Sequence, residues 1–404
     1  LESKIELLAP AGNMECLKTA VYFGADAVYV SGKAYGLRAF ADNFDVEQME
    51  QASTYMKKAG KSLYVTCNAV FHNDDFIGFS DYLKHINRAG VDAIIASDPG
   101  VVMTIKETIP EMDVHLSTQA NTMNAKSVKF WKDFGVSRVI LAREATLDDI
   151  KRIKDEVPDV ELEVFVHGAM CISYSGRCLL SNVTTGRSSN QGACAQPCRW
   201  KYTVSEIDKD EEFPVYSDEN GTYLFNSKDL MMIEHLDKLI DAGVTSLKIE
   251  GRMKSAYYVA SVIKPYRQEI DKILQNRTEY VFDKMILKEM DKSGTRPYTT
   301  GFFFGNPKND GQDTTRTSET KPSVFVGKVL ACDNGTITIE QRNKFVIGDE
   351  LEILSPTMAP VTFIVTRIVN EAGDDQDEAP HPKQVLILDC PFCLNENDIL
   401  RRNL

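Results

Sequence analysis

The sequence predicts an α/β fold, a (β/α)8 TIM-like barrel followed by a small antiparallel β-barrel domain. Three observations carry this reading. Eight short β-branched runs alternate with amphipathic helical patterns through the first 255 residues, as repeated strand–helix units around a parallel sheet do. The first seven runs start at residues 6, 27, 63, 93, 115, 138 and 162, a spacing that suits one unit each. From about Val324 the chain switches to two-residue alternation with tight turns, which suits antiparallel strands.

The strand candidates are Glu6 to Ala9, Ala27 to Val30, Leu63 to Cys67, Ala93 to Ala96, His115 to Thr118, Arg138 to Leu141, Leu162 to Val166 and Ser246 to Ile249. Helix starts are marked by Asn13, by Asp45 with Gln48 three residues on, and by Thr146. A doubly wound open sheet is disfavoured, because Leu8-Ala9-Pro10-Ala11-Gly12 lacks a Gly-rich phosphate fingerprint. The eighth run begins 84 residues after the seventh, too far for a plain unit, so the gap is read as an elaborated loop over the barrel mouth. It includes a hairpin-like stretch, Tyr202 to Val204 with Tyr223 to Phe225. The domains are therefore a barrel over 1–275 with a Cys-rich insertion at 167–225, a linker over 276–320, and the small β-barrel over 321–404.

The 404 residues are 43% hydrophobic and 26% charged, which excludes disordered and collagen-like classes. Lys+Arg 46 against Asp+Glu 59 gives a net charge of −13, so any RNA partner must meet a local basic patch. No apolar run approaches a membrane span, and a cytoplasmic protein with reduced thiols and no membrane partner is expected.

Four of the nine cysteines fall within 28 residues: Cys171, Cys178, Cys194 and Cys198, spaced C-x6-C, x15, C-x3-C. Four thiolates can hold an iron–sulfur cluster or a structural zinc, and the irregular spacing suits a cluster better than two tight zinc knuckles. Unligated thiols, or a Cys171/His167 nucleophile pair, are the other readings. From Val164 to Ser205 there is no Asp or Glu, but there are Arg177, Arg187, Arg199 and Lys201. That local reversal of charge makes Arg177, Arg187 and Arg199 candidate substrate-binding residues for an anion or a phosphate backbone.

Barrel enzymes place reactive groups where strands end. Arg143, His167, Lys248, Glu250 and Arg252 are accordingly the candidate catalytic residues, with Tyr29, Arg38, Asn68, His115 and Gln119 as further mouth positions. Lys248 and Glu250 share one strand face, and Arg143 and Arg252 suit a carboxylate clamp.

The run Glu163, Phe165, Gly168, Ala169, Met170, Cys171, Gly176, Cys178, Leu180 and Ser181 matches the signature E-x-F-x-x-G-[SA]-[LIVM]-C-x4-G-x-C-x-[LIVM]-S, so the chain resembles the peptidase U32 family. Leu8 to Gly12, Gly192 to Trp200, Phe225 to Leu230 and Lys248 to Met253 extend the resemblance. It implies prephenate-dependent, oxygen-independent hydroxylation, of ubiquinone precursors or of tRNA wobble uridine to 5-hydroxyuridine. It also implies a 4Fe-4S cluster on Cys171, Cys178, Cys194 and Cys198, with zinc the runner-up, and prephenate as co-substrate. Its implied partners are tRNA and a second U32 subunit. The collagenase-like peptidase activity that named the family and a noncatalytic subunit role are the alternatives.

Overall fold

A computed structural model describes residues 5–37, 41–200, 216–218, 221–223, 227–294, 296–313 and 322–404. Eight parallel strands close on themselves: β1 Glu6–Pro10, β2 Ala27–Ser31, β3 Ser62–Cys67, β4 Ala93–Ala96, β5 Asp113–Leu116, β6 Arg138–Ile140, β7 Glu161–Gly168 and β8 Ser246–Ile249. Closure comes from β8, where Ser246 pairs with Glu6 on one side and with Glu163 on the other. Nearly every strand residue is buried, as expected of a parallel sheet covered by helices. The helix starts follow the sequence: Asn13 accepts from Cys16 N–H, while Asp45 with Gln48 and Thr146 with Asp149 form capping boxes.

The barrel's N-terminal layer is ionic. Arg138 Nη1 lies 2.5 Å from Glu6 Oε1 and 3.3 Å from Glu163 Oε2, and Ser246 Oγ donates to both carboxylates. Tyr64 donates to Glu6 at 2.6 Å. Buried charges persist when paired and hydrogen-bonded in this way.

The stretch read as a linker contains packed structure. Helix Met285–Asp291 lies against helix Ala256–Gln275, and strand Tyr298–Thr299 pairs with the short strand Asp229–Met231, which runs antiparallel to the end of β7. Polar residues there hid the pairing, since a two-residue strand leaves no alternation to read. Residues 314–320 of that linker lie outside the described residues, as do Tyr202 to Val204 and residues 224–225 of the expected hairpin. Among the described residues, Tyr216–Asp218 and Gly221–Tyr223 pair antiparallel.

The C-terminal domain corrects the expected closed barrel. Its main sheet is open, with seven antiparallel strands whose edges are Val361–Ile364 and Ile368–Asn370. These two are neighbours in sequence, yet each pairs inward with a different partner, Glu350–Leu354 and Val385–Asp389. Irregular register in strand Ser323–Asp333 curls the sheet around its own core of Val326, Ile337, Phe345 and Leu400 without joining the edges. The domain docks firmly: the buried Arg401 guanidinium bonds Glu352 at 2.9 Å and Glu289 of helix Met285–Asp291 at 2.5 Å, and Tyr22 donates to Asp398. Among the described residues no helix is long and apolar enough to cross a membrane.

Candidate functional site

The C-terminal ends of the barrel strands enclose a cavity of ≈ 150 Å³. Its lower wall is Lys248, Phe165 and Tyr29, its rim Arg143, Glu250 and Arg252, and its roof the cysteine loop. Inward alternation on β7 and β8 sets this arrangement: Glu163 and Phe165 point in, opposite Ser246 and Lys248.

Lys248 Nζ bonds Glu163 Oε1 at 2.7 Å and sits over the rings of Tyr29 at 4.4 Å and Phe165 at 5.4 Å. Burial pulls its ammonium below the usual lysine range, and Glu163 opposes that pull. Arg143 lies 4.0 Å from the centre of Phe165 and donates to Glu250 Oε2 at 3.1 Å, so it is both stacked and paired. Arg252 Nη1 donates to Asn43 Oδ1 at 3.4 Å. Thr66 Oγ1, Gln119 Oε1 and Ser173 Oγ are buried without a hydrogen-bond partner among the described residues, so the cavity carries polar atoms that a ligand can satisfy.

His167 lies elsewhere. The register shifts between Lys248 and Ile249, so that His167 rather than Val166 pairs with Ile249. The imidazole thereby leaves the cavity and packs against Tyr258, Tyr266 and Tyr298, with Tyr266 Oη 3.4 Å from Nδ1. Burial, aided by Lys254, pushes it down to about 3. Arg38 lies outside the described residues.

The signature's small residues are explained by close approaches. Gly168, at φ +105°, leaves room for Glu250, whose carbonyl would lie 2.7 Å from a Cβ. Gly176, at φ +73°, abuts Gln119 in the same way. Ser181 accepts from Ala195 N–H at 3.0 Å and Ser189 donates to the Cys178 carbonyl, tying the two cysteine pairs into one loop. Asn121 anchors that loop to the barrel by donating to the Ser175 carbonyl.

All four cysteines line the cavity, with Cys171 exposed and the others half-buried. Among the described residues, however, no group of three or more His, Cys, Asp or Glu side chains is arranged to hold a metal ion. The expected 4Fe-4S cluster, and zinc as its runner-up, are thereby overturned. The spacing delivers four thiols to one loop, where Cys194 Sγ accepts from Gln196 N–H at 3.3 Å and burial pushes the Cys198 thiol up, with Arg199 opposing and Cys171, Cys194 and Cys178 adding to the push. Of the basic residues, Arg199 reaches the cavity and donates to the Met170 carbonyl, Arg187 bonds the Ala193 carbonyl, and Arg177 is exposed.

Sequence reasoning had Lys248 but missed its partner Glu163, as well as Phe165 and Arg138. The available signal was parity: a Glu at an inward position of a buried strand needs a cation opposite.

A closed parallel barrel with its polar cavity at the C-terminal mouth is the architecture of a barrel enzyme. The family model for peptidase family U32 matches residues 12–313 and that for the peptidase family U32 C-terminal domain matches 321–401, so the chain belongs to this family. It is 44% identical over 388 residues to tRNA hydroxylation protein P1 of Bacillus subtilis, covering 96% of this chain and 92% of that one. It is 37% identical over 443 residues to tRNA hydroxylation protein P of Escherichia coli, covering 99% and 97%. A 23S rRNA 5-hydroxycytidine synthase of Escherichia coli is 37% identical over 274 residues, covering 68% of this chain and 40% of that one.

Proposed function

We propose that this chain hydroxylates the wobble uridine of tRNA to 5-hydroxyuridine, with prephenate as the oxygen donor. The observation that carries the reading is the meeting of Arg143, Lys248 and Arg252 around one cavity in a chain of net charge −13. Prephenate is a dicarboxylate, and two guanidiniums plus an ammonium suit its two anionic groups. Phe165 and Tyr29 offer apolar faces for its ring, and Glu250 orients Arg143.

Support for an RNA substrate comes from the names of the relatives, of which two concern tRNA hydroxylation and one a hydroxylated rRNA base. The exposed Arg177 and Arg187 on the roof are proposed to meet the tRNA backbone, with Arg199 at the cavity. A peptidase reading lacks support from this site, where His167 faces away from Cys171.

The test is deletion of the gene followed by mass spectrometry of tRNA nucleosides. Loss of 5-hydroxyuridine and its derivatives is expected, and unchanged levels in a strain without a paralogue refute the reading. Activity of the purified chain that appears only on adding a second U32 chain would assign it the noncatalytic role.

A further inference from the structure

We propose that the groove between helix Met14–Tyr22 and the C-terminal sheet binds the phosphate backbone of the tRNA, an inference that rests on tRNA being the substrate. The groove encloses ≈ 380 Å³ and is lined by Glu15 and Lys18 from the barrel side and by Lys328, Glu340, Arg342 and Lys383 from the sheet. One cation bridges both carboxylates, since Arg342 Nη2 lies 2.5 Å from Glu15 Oε1 and 2.5 Å from Glu340 Oε1. Lys18, Lys328 and Lys383 take part in no ion pair among the described residues, so four cations stand against two carboxylates and the concave strip carries a net charge of +2. In a chain of −13 that surplus is a local reversal, and a polyanion is the ligand it complements.

Two features make the strip a built surface. Lys383 holds a left-handed backbone, φ +64°, uncommon for lysine, and its N–H donates to the Gln341 carbonyl at 2.8 Å, which fixes the residue at the groove. The Arg342–Glu15 and Tyr22–Asp398 contacts hold the two walls together across the domain junction.

The groove also adjoins the mouth. Helix Met14–Tyr22 follows directly on the C-terminal end of β1, Gly12 there abuts the Arg252 carbonyl, and Cys16 Sγ lies 3.7 Å from the Lys254 carbonyl. An RNA strand laid along the groove therefore leads to the loop that carries Arg252. This also gives the C-terminal domain a role, although residues 321–404 carry 8 Lys+Arg against 13 Asp+Glu: it supplies one wall.

The experiment titrates full-length protein with an unmodified tRNA transcript over a range of salt concentrations. Lys328→Glu with Lys383→Glu is expected to weaken binding on the order of tenfold or more and to lower the slope of log K against log salt by about 1.5 to 2. Lys328→Gln with Lys383→Gln, gentler on folding, should shift both in the same direction by less. A wild-type slope in both doubles overturns the groove while leaving tRNA as substrate. An equal loss of slope from Lys129→Glu with Lys132→Glu, on the helix Ala125–Asp133, overturns it too. Absence of tRNA binding by the wild-type protein refutes the substrate reading and the groove together.

Discussion

Lys248 and Glu163 face each other at 2.7 Å across adjacent strands, both shut off from solvent inside the barrel. The pair joins the cavity to the ionic layer beneath it, because the same carboxylate also meets Arg138 and Ser246. Glu163→Ala leaves two buried cations short of an anion. We predict a loss of about 3 to 5 kcal/mol in urea unfolding. A loss under 1 kcal/mol would show that the pair is hydrated in solution.

Arg143 is held by stacking on Phe165 and by its bond to Glu250. Lysine keeps the charge but loses the planar fork. Arg143→Lys should therefore fold normally and reduce tRNA hydroxylation by roughly a hundredfold, on the order of 3 kcal/mol of transition-state binding. Near-normal activity would show that charge alone suffices.

His167 and His115 are both kept neutral by burial, His167 down to about 3 and His115 well below its usual range, with Arg138 and Lys248 adding to the effect on His115. The unfolded chain binds a proton at each below about 6.5, so stability is full above that pH and declines as pH falls toward 3. Between pH 7 and pH 5 the decline should be about 2 kcal/mol for His167, with His115 adding to it in the same direction. His167→Phe should remove one share, measured as the difference between urea midpoints at the two pH values.

The thiols should rank by exposure and environment. Cys171 and Cys393 are exposed, Cys198 is half-buried with its thiol pushed up, and Cys67 is buried with its thiol pushed up further. Timed alkylation with peptide mass spectrometry should modify Cys171 and Cys393 first, Cys198 later, and Cys67 only on unfolding. Uniform protection of Cys171, Cys178, Cys194 and Cys198 would contradict this ranking by exposure.

The barrel was legible because each buried strand is a short β-branched run and each helix start carries its cap, both of them local signals. Closure of the C-terminal sheet was not, since it depends on whether Val361–Ile364 and Ile368–Asn370 meet across the domain, which alternation cannot report. Strand Ile399–Asn403 was missed because Arg401 and Arg402 break the apolar pattern, although Arg401 is buried against Glu352 and Glu289. At the site, strand ends located Arg143, Lys248, Glu250 and Arg252, all of which line the cavity. One shift of register turned His167 away from it. Cysteine spacing placed four thiols on one loop but could not fix how their sulfurs are arranged.

The central claim is that the cavity of Arg143, Lys248 and Arg252 hydroxylates tRNA. It is tested most directly by complementing a deletion strain with the wild-type gene or with Arg252→Ala, and quantifying 5-hydroxyuridine-derived nucleosides in tRNA. The account predicts restoration by the wild type and a residual level of a few per cent or less, about 2 kcal/mol or more of lost stabilisation, for a stably expressed Arg252→Ala. Full restoration by Arg252→Ala would contradict it.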